Sequence, residues 1–437
     1  MALAPTALAG DDPPKRALPD YDGRGEEPTT AGDVLLWVPR IAFSPLYFTS
    51  EFILRRPLGA LITEAERTDA VGAIVSVMTW DDGDAGMFPT FVFDFGLDAG
   101  ALPSFGLYHF WNHLIVDAHD LRLRGAYGGE DWAVVAYKSR FYADRETTTR
   151  VEIGVNWSHR KDHVFAGIGQ GRGDERFISR YGEDRLEFGL GFHRDLGRRG
   201  GLDLGAYWSD VTFFEGDCCE DPSIERTAVR EGLEIPQALG GAHHFASLRA
   251  SVAADTRAVR PGDESGLRAE FFGELSYRTD GGKGEGWLQA GGRIGAFWDV
   301  YNNRVLGLSL YTALAESFDD TPVPFFDLPQ LGGIKPLQAF VAGQIRGESA
   351  FAVTLDYHYP IWVWLDGRAF ITMGNVFGSE LDGLERENFR LSFGMGMTPA
   401  LRDDIDFELL FALGTDTLGN GADIQTLRIV VGTNSGF

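Results

Sequence analysis

The sequence predicts an all-β protein: a closed, transmembrane antiparallel β-barrel of sixteen strands with a short helical segment ahead of it. Three observations lead there. From about residue 85 to the end, short segments alternate apolar with polar or small residues, the period of a strand with two unlike faces. The chain is 44% hydrophobic and 13% aromatic, yet no window holds eighteen uncharged apolar residues, so helical spans do not account for its apolar content. Its 437 residues would give a soluble protein two or three domains, but no linker interrupts the rhythm. Outward aliphatic and aromatic residues with inward Gly, Ser and charge suit a barrel in lipid, where closing the sheet pairs every backbone group.

The elements follow in order. MALAPTALA resembles the tail of a secretion signal, with Ala7-Leu8-Ala9 as a small-residue cleavage pattern but no charged start or apolar core. Either the start codon was placed too late or the pattern is coincidence; an exported barrel favours the first. Residues 1–31 read as signal remnant and disordered leader, rich in Asp, Pro, Gly and Glu. Residues 32–70 read as kinked amphipathic helices, with Asp33 as a cap and Pro45 and Pro57 at new helix starts. Arg40, Glu51, Arg55 and Arg56 interrupt the apolar run, so it cannot span a bilayer; it is placed on the periplasmic leaflet or against the barrel mouth, or as a small soluble cap. Residues 71–437 form the barrel, with a long loop at 317–348.

Twelve strand candidates precede that loop and five follow it. Alternation is clean in Leu186, Phe188, Leu190 and Phe192, and in Leu391, Phe393, Met395 and Met397, each opposed by small or polar residues. Short turns belong to the periplasm and long loops to the outside. With both termini periplasmic, an odd number of strands must precede the loop, so two candidates merge. The merger is expected within Thr149–Gly171, where His159-Arg160-Lys161-Asp162 makes a bend; eighteen strands is the alternative if Ala73–Trp80 also pairs. Arg122, Arg124, Glu152, Glu187, Arg268, Glu270, Arg293 and Glu408 take inward parity and are expected to pair in a wet lumen.

A net charge of −25 argues against nucleic acid as a partner. Two adjacent cysteines, Cys218-Cys219, give no disulfide framework; an isolated oddity, a vicinal disulfide and a metal contact are the open readings. His109 and His113 lie too far apart along one strand for a single ion. No nucleophile–base constellation is visible, and neither an enzyme nor a cofactor is expected.

The long loop and its following hairpin carry a family resemblance. Leu331-Gly332-Gly333, Leu337 to Phe340, Gly343-Gln344-Ile345-Arg346-Gly347 and SAFAVTLDYHYPIW resemble the in-folding loop of the BamA/TamA-type outer-membrane assembly barrels, also called bacterial surface antigens. DTRAVRPGDESG, LDGRAFITMGNVFG and the terminal LGTDTL…LRIVVGTNSGF also fit, over roughly residues 70 to 437. The resemblance implies a loop latch made by Gly332, Gly333, Gln338, Phe340, Arg346 and Gly347. Family members carry an arginine where Gln338 stands and a glycine where Ala339 stands; that arginine grips inward acids of the wall, and here either Arg346 substitutes or the latch is looser. Members usually carry POTRA modules ahead of the barrel, and about 85 residues leave no room for a string of them.

Leu427, Ile429, Val431 and Phe437 share one face of the last strand, a pattern read by outer-membrane assembly machinery through strand addition. The resemblance implies a bacterial outer-membrane protein bathed in lipid and lipopolysaccharide, which assists insertion or translocation of unfolded outer-membrane clients with periplasmic partners. The other reading is a plain surface-antigen, pore or structural barrel without insertase activity.

Overall fold

The structure, a computed structural model, describes residues 56–435 except 98, 146–147, 171–176, 198–199, 217, 237, 259–263, 281–284, 302, 320, 363–364 and 400–404, together with positions 44, 48 and 52. The expected leader, Asp33, Pro45 and Phe437 lie outside the described residues.

Eleven long strands precede the central loop: β1 (Ala85–Gly96), β2 (Ser104–Trp111), β3 (His119–Tyr127), β4 (Trp132–Asp144), β5 (Thr149–Phe165), β6 (Ser179–Asp195), β7 (Gly200–Glu215), β8 (Gly241–Asp255), β9 (Gly266–Arg278), β10 (Gly286–Tyr301) and β11 (Arg304–Ser317). Five follow it: β12 (Ser349–Trp362), β13 (Leu365–Phe377), β14 (Arg390–Pro399), β15 (Ile405–Thr415) and β16 (Ile424–Ser435). Every strand pairs antiparallel with its neighbour in sequence, and β16 returns to pair with β1, closing a sixteen-stranded barrel. The expected merger is real: Thr149–Phe165 is one strand, bulged where the register with β6 shifts between Arg160 and His163. The apolar run at Ala73–Trp80 is helical up to Met78, and only Thr79 and Trp80 pair, with Gly86 and Ala85.

Period-two patterning became two environments. Phe188, Leu190, Leu248, Phe271, Ile294, Leu308 and Phe411 stand exposed on the outer wall. Ser247, Ser276, Thr354, Thr372, Ser392 and Thr426, of opposite parity, are buried inward. A continuous exposed apolar belt of this kind is the surface lipid covers. The outward set packs on no second sheet among the described residues, and no described helix is long and apolar enough to cross a membrane.

Ahead of the barrel lie α1 (Arg56–Arg67) and α2 (Ala70–Met78). Pro57 sits in the first turn of α1, where a missing N–H costs nothing. Leu58 and Ile62, one turn apart, pack on Tyr357, Tyr359, Ile361, Trp362 and Leu365, and Trp362 Nε1 donates to Glu66 Oε1 at 3.0 Å. Tyr357 and Tyr359 are 7% and 5% exposed, whereas Leu355 on the same outward parity is 39% exposed. The helix therefore covers the outer wall at the rim that carries the short turns. A third helix, α3 (Ile224–Glu231), lies in the loop after β7, just beyond Cys218 and Cys219, which are disulfide-bonded to each other.

Candidate functional site

The loop between β11 and β12 folds back into the lumen. Gln330 and Leu331 pair antiparallel with Arg346 and Ile345, and the backbone turns sharply between them. Gly332 (φ 95°) and Gly333 (φ 64°) take left-handed conformations, and a Cβ on Gly332 would lie 2.7 Å from the Phe340 carbonyl oxygen. Gly332 N–H donates to Pro336 O at 2.7 Å and Gly333 N–H to Phe340 O at 2.8 Å. Leu331, Leu337, Ala339, Phe340 and Ile345 meet Tyr311, Ala313, Ala350, Ala352, Phe370, Val376, Leu410, Ala412 and Val430 of the inner wall. The wall alanines make room, so the lumen has an apolar plug at this level. Farther out, Phe325 and Phe326 of the same loop pack among Phe165, Tyr181, Phe213, Phe245 and Trp287.

The residues expected to form the latch all lie in the in-folded loop, but they meet different parts of the wall. Gln338 is an acceptor: Arg368 Nη1 donates to its Oε1 at 2.7 Å, while Arg368 Nε donates to Asp356 Oδ1 at 2.6 Å. Phe340 is fully buried, with the Arg390 guanidinium 5.9 Å from its ring centroid. Arg390 Nη1 in turn donates to Gln425 Oε1 at 3.0 Å and lies 3.3 Å from Asp416. Arg346, 2% exposed, donates from Nη1 to the Phe325 carbonyl and sits over the Phe165 and Phe325 rings at 5.8 and 5.3 Å. No carboxylate among the described residues lies within 4.0 Å of it, so Arg346 fastens the loop to itself and to aromatic rings, and does not grip acids of the wall. Gly347 donates to Pro329 O at 3.1 Å; a Cβ there would meet Val376 Cβ at 2.8 Å.

Two loop carboxyl and ammonium groups feel this enclosure. Asp327, beneath the Trp287 indole that donates to its Oδ2 at 3.0 Å, has its pKa pushed up to about 6 by burial, with Glu274 adding and Arg185 opposing. Lys335 at the loop tip is held below the usual lysine range, first by desolvation and then by Arg346.

Arg428 is the residue that sequence reasoning missed. It lies on β16 with inward parity and is 4% exposed. Across the closure, its Nε and Nη2 donate to Asp94 Oδ1 and Oδ2 of β1 at 2.6 and 2.8 Å. Its Nη1 donates to two loop carbonyls, Gly333 O and Gln338 O, each at 2.8 Å. One planar fork thus spends its donors on both sides of the seam and on the loop. The seam it spans is short: among the described residues β16 and β1 share five register pairs, Arg428–Gly96 to Gly432–Val92, the fewest of any adjacent pair, against six for β14–β15 and fifteen for β6–β7. Leu97 N–H to Leu427 O at 2.9 Å extends it by one bond. Leu427, Ile429 and Val431 face outward here, with Thr426, Arg428 and Val430 buried inward.

Elsewhere the lumen charges pair in part. Glu152 meets Arg150, Arg140 and Lys138, Glu187 meets Arg249 at 3.0 Å, Arg268 and Glu270 stand 3.6 Å apart, and Arg122 lies 3.6 Å from Asp120. The expected pairing fails at Arg124 and Arg293, which have no carboxylate within 4.0 Å among the described residues. His109 Nδ1 lies 2.9 Å from Gly86 O, and no group of three or more potential metal ligands occurs among the described residues.

Residues 118–401 match the Omp85 superfamily domain. Among solved structures, BamA from Haemophilus ducreyi lacking POTRA domains 1–3 aligns with a TM-score of 0.52 at 14% identity, over 79% of this chain and 70% of that one. CdiB from Acinetobacter baumannii and CdiB from Escherichia coli align at TM-scores of 0.49 and 0.47, each 12% identical, over 80% and 79% of this chain. The aligned region spans 60% and 62% of those two CdiB chains. No curated protein matches the chain. Barrels of the matched superfamily are outer-membrane transporters and insertases that work on client proteins. With that match over more than half its length and a closed sixteen-stranded barrel around an in-folded loop, the chain belongs to the Omp85 superfamily and is an outer-membrane β-barrel.

Proposed function

We propose that the protein is an assembly barrel that admits outer-membrane client proteins through the β1–β16 seam, inserting or translocating them. The observation that carries this is Arg428: the guanidinium closing the shortest strand pairing in the wall also holds the loop that fills the lumen. A permanently sealed barrel needs no such link, and a permanently open pore is at odds with the apolar plug. In this reading the short-turn rim, with both barrel termini and α1, faces the periplasm, and α1 lies at the inner edge of the lipid. Lipid and lipopolysaccharide cover the outer belt.

The test is reconstitution in liposomes with an unfolded outer-membrane barrel as client. Insertion should be faster than into empty liposomes. It should slow when Phe93→Cys and Val431→Cys, register partners across the seam, are oxidised to a disulfide, and recover on reduction. A rate equal to that of empty liposomes would leave a plain surface-antigen or structural barrel.

A further inference from the structure

Beneath the loop tip, in the half of the lumen nearer the short turns, lies a cavity of about 250 Å³ bounded by Ile334–Pro336, Arg257 of the β8–β9 turn and the inner faces of β9 to β14. Five cationic side chains line it, against two carboxylates, Glu270 and Asp356. Three of the cations already have acids: Arg257 meets Asp255 at 2.6 Å, Arg368 meets Asp356 at 2.5 Å, and Arg268 stands 3.6 Å from Glu270. The other two, Arg293 and Lys335, have no carboxylate within 4.0 Å among the described residues; Arg293 reaches only the Ser309 hydroxyl, at 3.4 Å. Both side chains are solvent-accessible within the lumen, although the surrounding walls still desolvate the Lys335 ammonium. In a chain of net charge −25, two unmatched cations facing one cavity are not a by-product of composition. Like charges sharing a confined space repel, and a visiting anion would relieve that.

We infer that this cavity receives the carboxylate side chains of an extended acidic segment of a client protein, with Arg293 and Lys335 as the donors. The inference rests on the proposed function, which brings unfolded clients to the short-turn rim. A carboxylate is favoured over other anions because the neighbouring arginines in the same cavity already hold carboxylates with short contacts of 2.5 and 2.6 Å. Extended peptide places alternate side chains on one face, so an acid at every second position can present its carboxylates to both donors.

The test uses the full chain in lipid nanodiscs and a rhodamine-labelled peptide alternating Glu with Thr, read by fluorescence anisotropy. Binding should weaken as salt rises and should be absent for the peptide with Lys in place of Glu. Arg293→Gln with Lys335→Gln should lower affinity at least about tenfold, because two charge-assisted hydrogen bonds are lost. Arg293→Lys with Lys335→Arg should keep most of it, which separates loss of charge from misfolding. Equal affinity of the double Gln variant and the wild type would overturn the inference, as would displacement of the peptide by inorganic phosphate at lower concentration than by glutamate. Peptide binding without client insertion in liposomes would remove the proposed function and leave the site. Insertion without peptide binding would remove the site alone.

Discussion

Replacing Arg428 by methionine keeps a side chain of similar reach and removes four hydrogen bonds, two to Asp94 and two to the carbonyls of Gly333 and Gln338. Breaking a buried ion pair from one side costs about 3–5 kcal/mol, because the partner is left uncompensated. The ladder that remains has five register pairs, worth about 5 kcal/mol at roughly 1 kcal/mol per bond. The guanidinium and the ladder thus hold the seam with similar strength. Losing the first should raise the open population by about two to three and a half powers of ten, at about 1.4 kcal/mol per decade. Hydrogen exchange followed by mass spectrometry in nanodiscs reads both ends of the link. Exchange in Val92–Gly96 and Arg428–Gly432 should accelerate, and so should the Gly333 and Phe340 amides, which donate within the loop. The β6–β7 ladder, with fifteen pairs, should be unchanged. Asp94→Asn should loosen the seam with less effect on the loop, since Arg428 keeps its two carbonyls. If Arg428→Met accelerates the seam while the loop amides stay protected as in wild type, the coupling is refuted.

Three further outcomes follow from the same contacts. Asp327 carries a pKa raised from 3.8 to about 6, so the stability of its neutral form is fully present below about pH 4 and is lost as pH rises through 6. Asp327→Asn should therefore match wild type at pH 4 and exceed it by about 3 kcal/mol at pH 8 in denaturant unfolding; equal stability at both would refute the burial argument. Arg346→Glu puts a carboxylate between the Phe165 and Phe325 rings and beside a carbonyl, and should lower the thermal midpoint in detergent; an unchanged profile would show that Arg346 does not fasten the loop. Ile62→Asp should lift α1 from the wall, which the fluorescence of Trp362 would register; an unchanged emission spectrum would count against the packing described.

The barrel was legible because lipid and water enforce opposite chemistry on alternate residues, and Leu186–Phe192 or Leu391–Met397 display that without any knowledge of partners. Even the strand count could be reached, since parity required a merger and His159–Asp162 was the place where an extended strand could bend. Ala73–Trp80 was ambiguous, because a short apolar run suits helix and strand equally. The latch was not legible in its polarity. Arg428 and Asp94 lie 334 positions apart, and only the closure of the barrel makes them neighbours. The signal was present nonetheless: each is the charged residue of inward parity in an otherwise apolar segment, FVFDFG and LRIVVG, and pairing first strand with last brings two such charges to the same level.

The position of the arginines bears on how the loop can be released. A loop arginine gripping wall acids would carry its charge away on undocking and leave carboxylates behind in the lumen. To Arg368 and Arg428 the loop offers only neutral acceptors, the Gln338 amide and the Gly333 and Gln338 carbonyls, while both arginines stay on the wall with Asp356 and Asp94. Undocking would then expose guanidiniums that remain ion-paired, and would part no loop–wall ion pair, since Asp327, Lys335 and Arg346 of the loop have no opposite charge within 4.0 Å among the described residues. The desolvation imbalance that penalises one-sided breaking of an ion pair is therefore avoided when the loop moves alone, and is incurred only when the seam parts Arg428 from Asp94. On that account loop release is the easier step, and it weakens the seam by removing two of the contacts that orient the Arg428 fork.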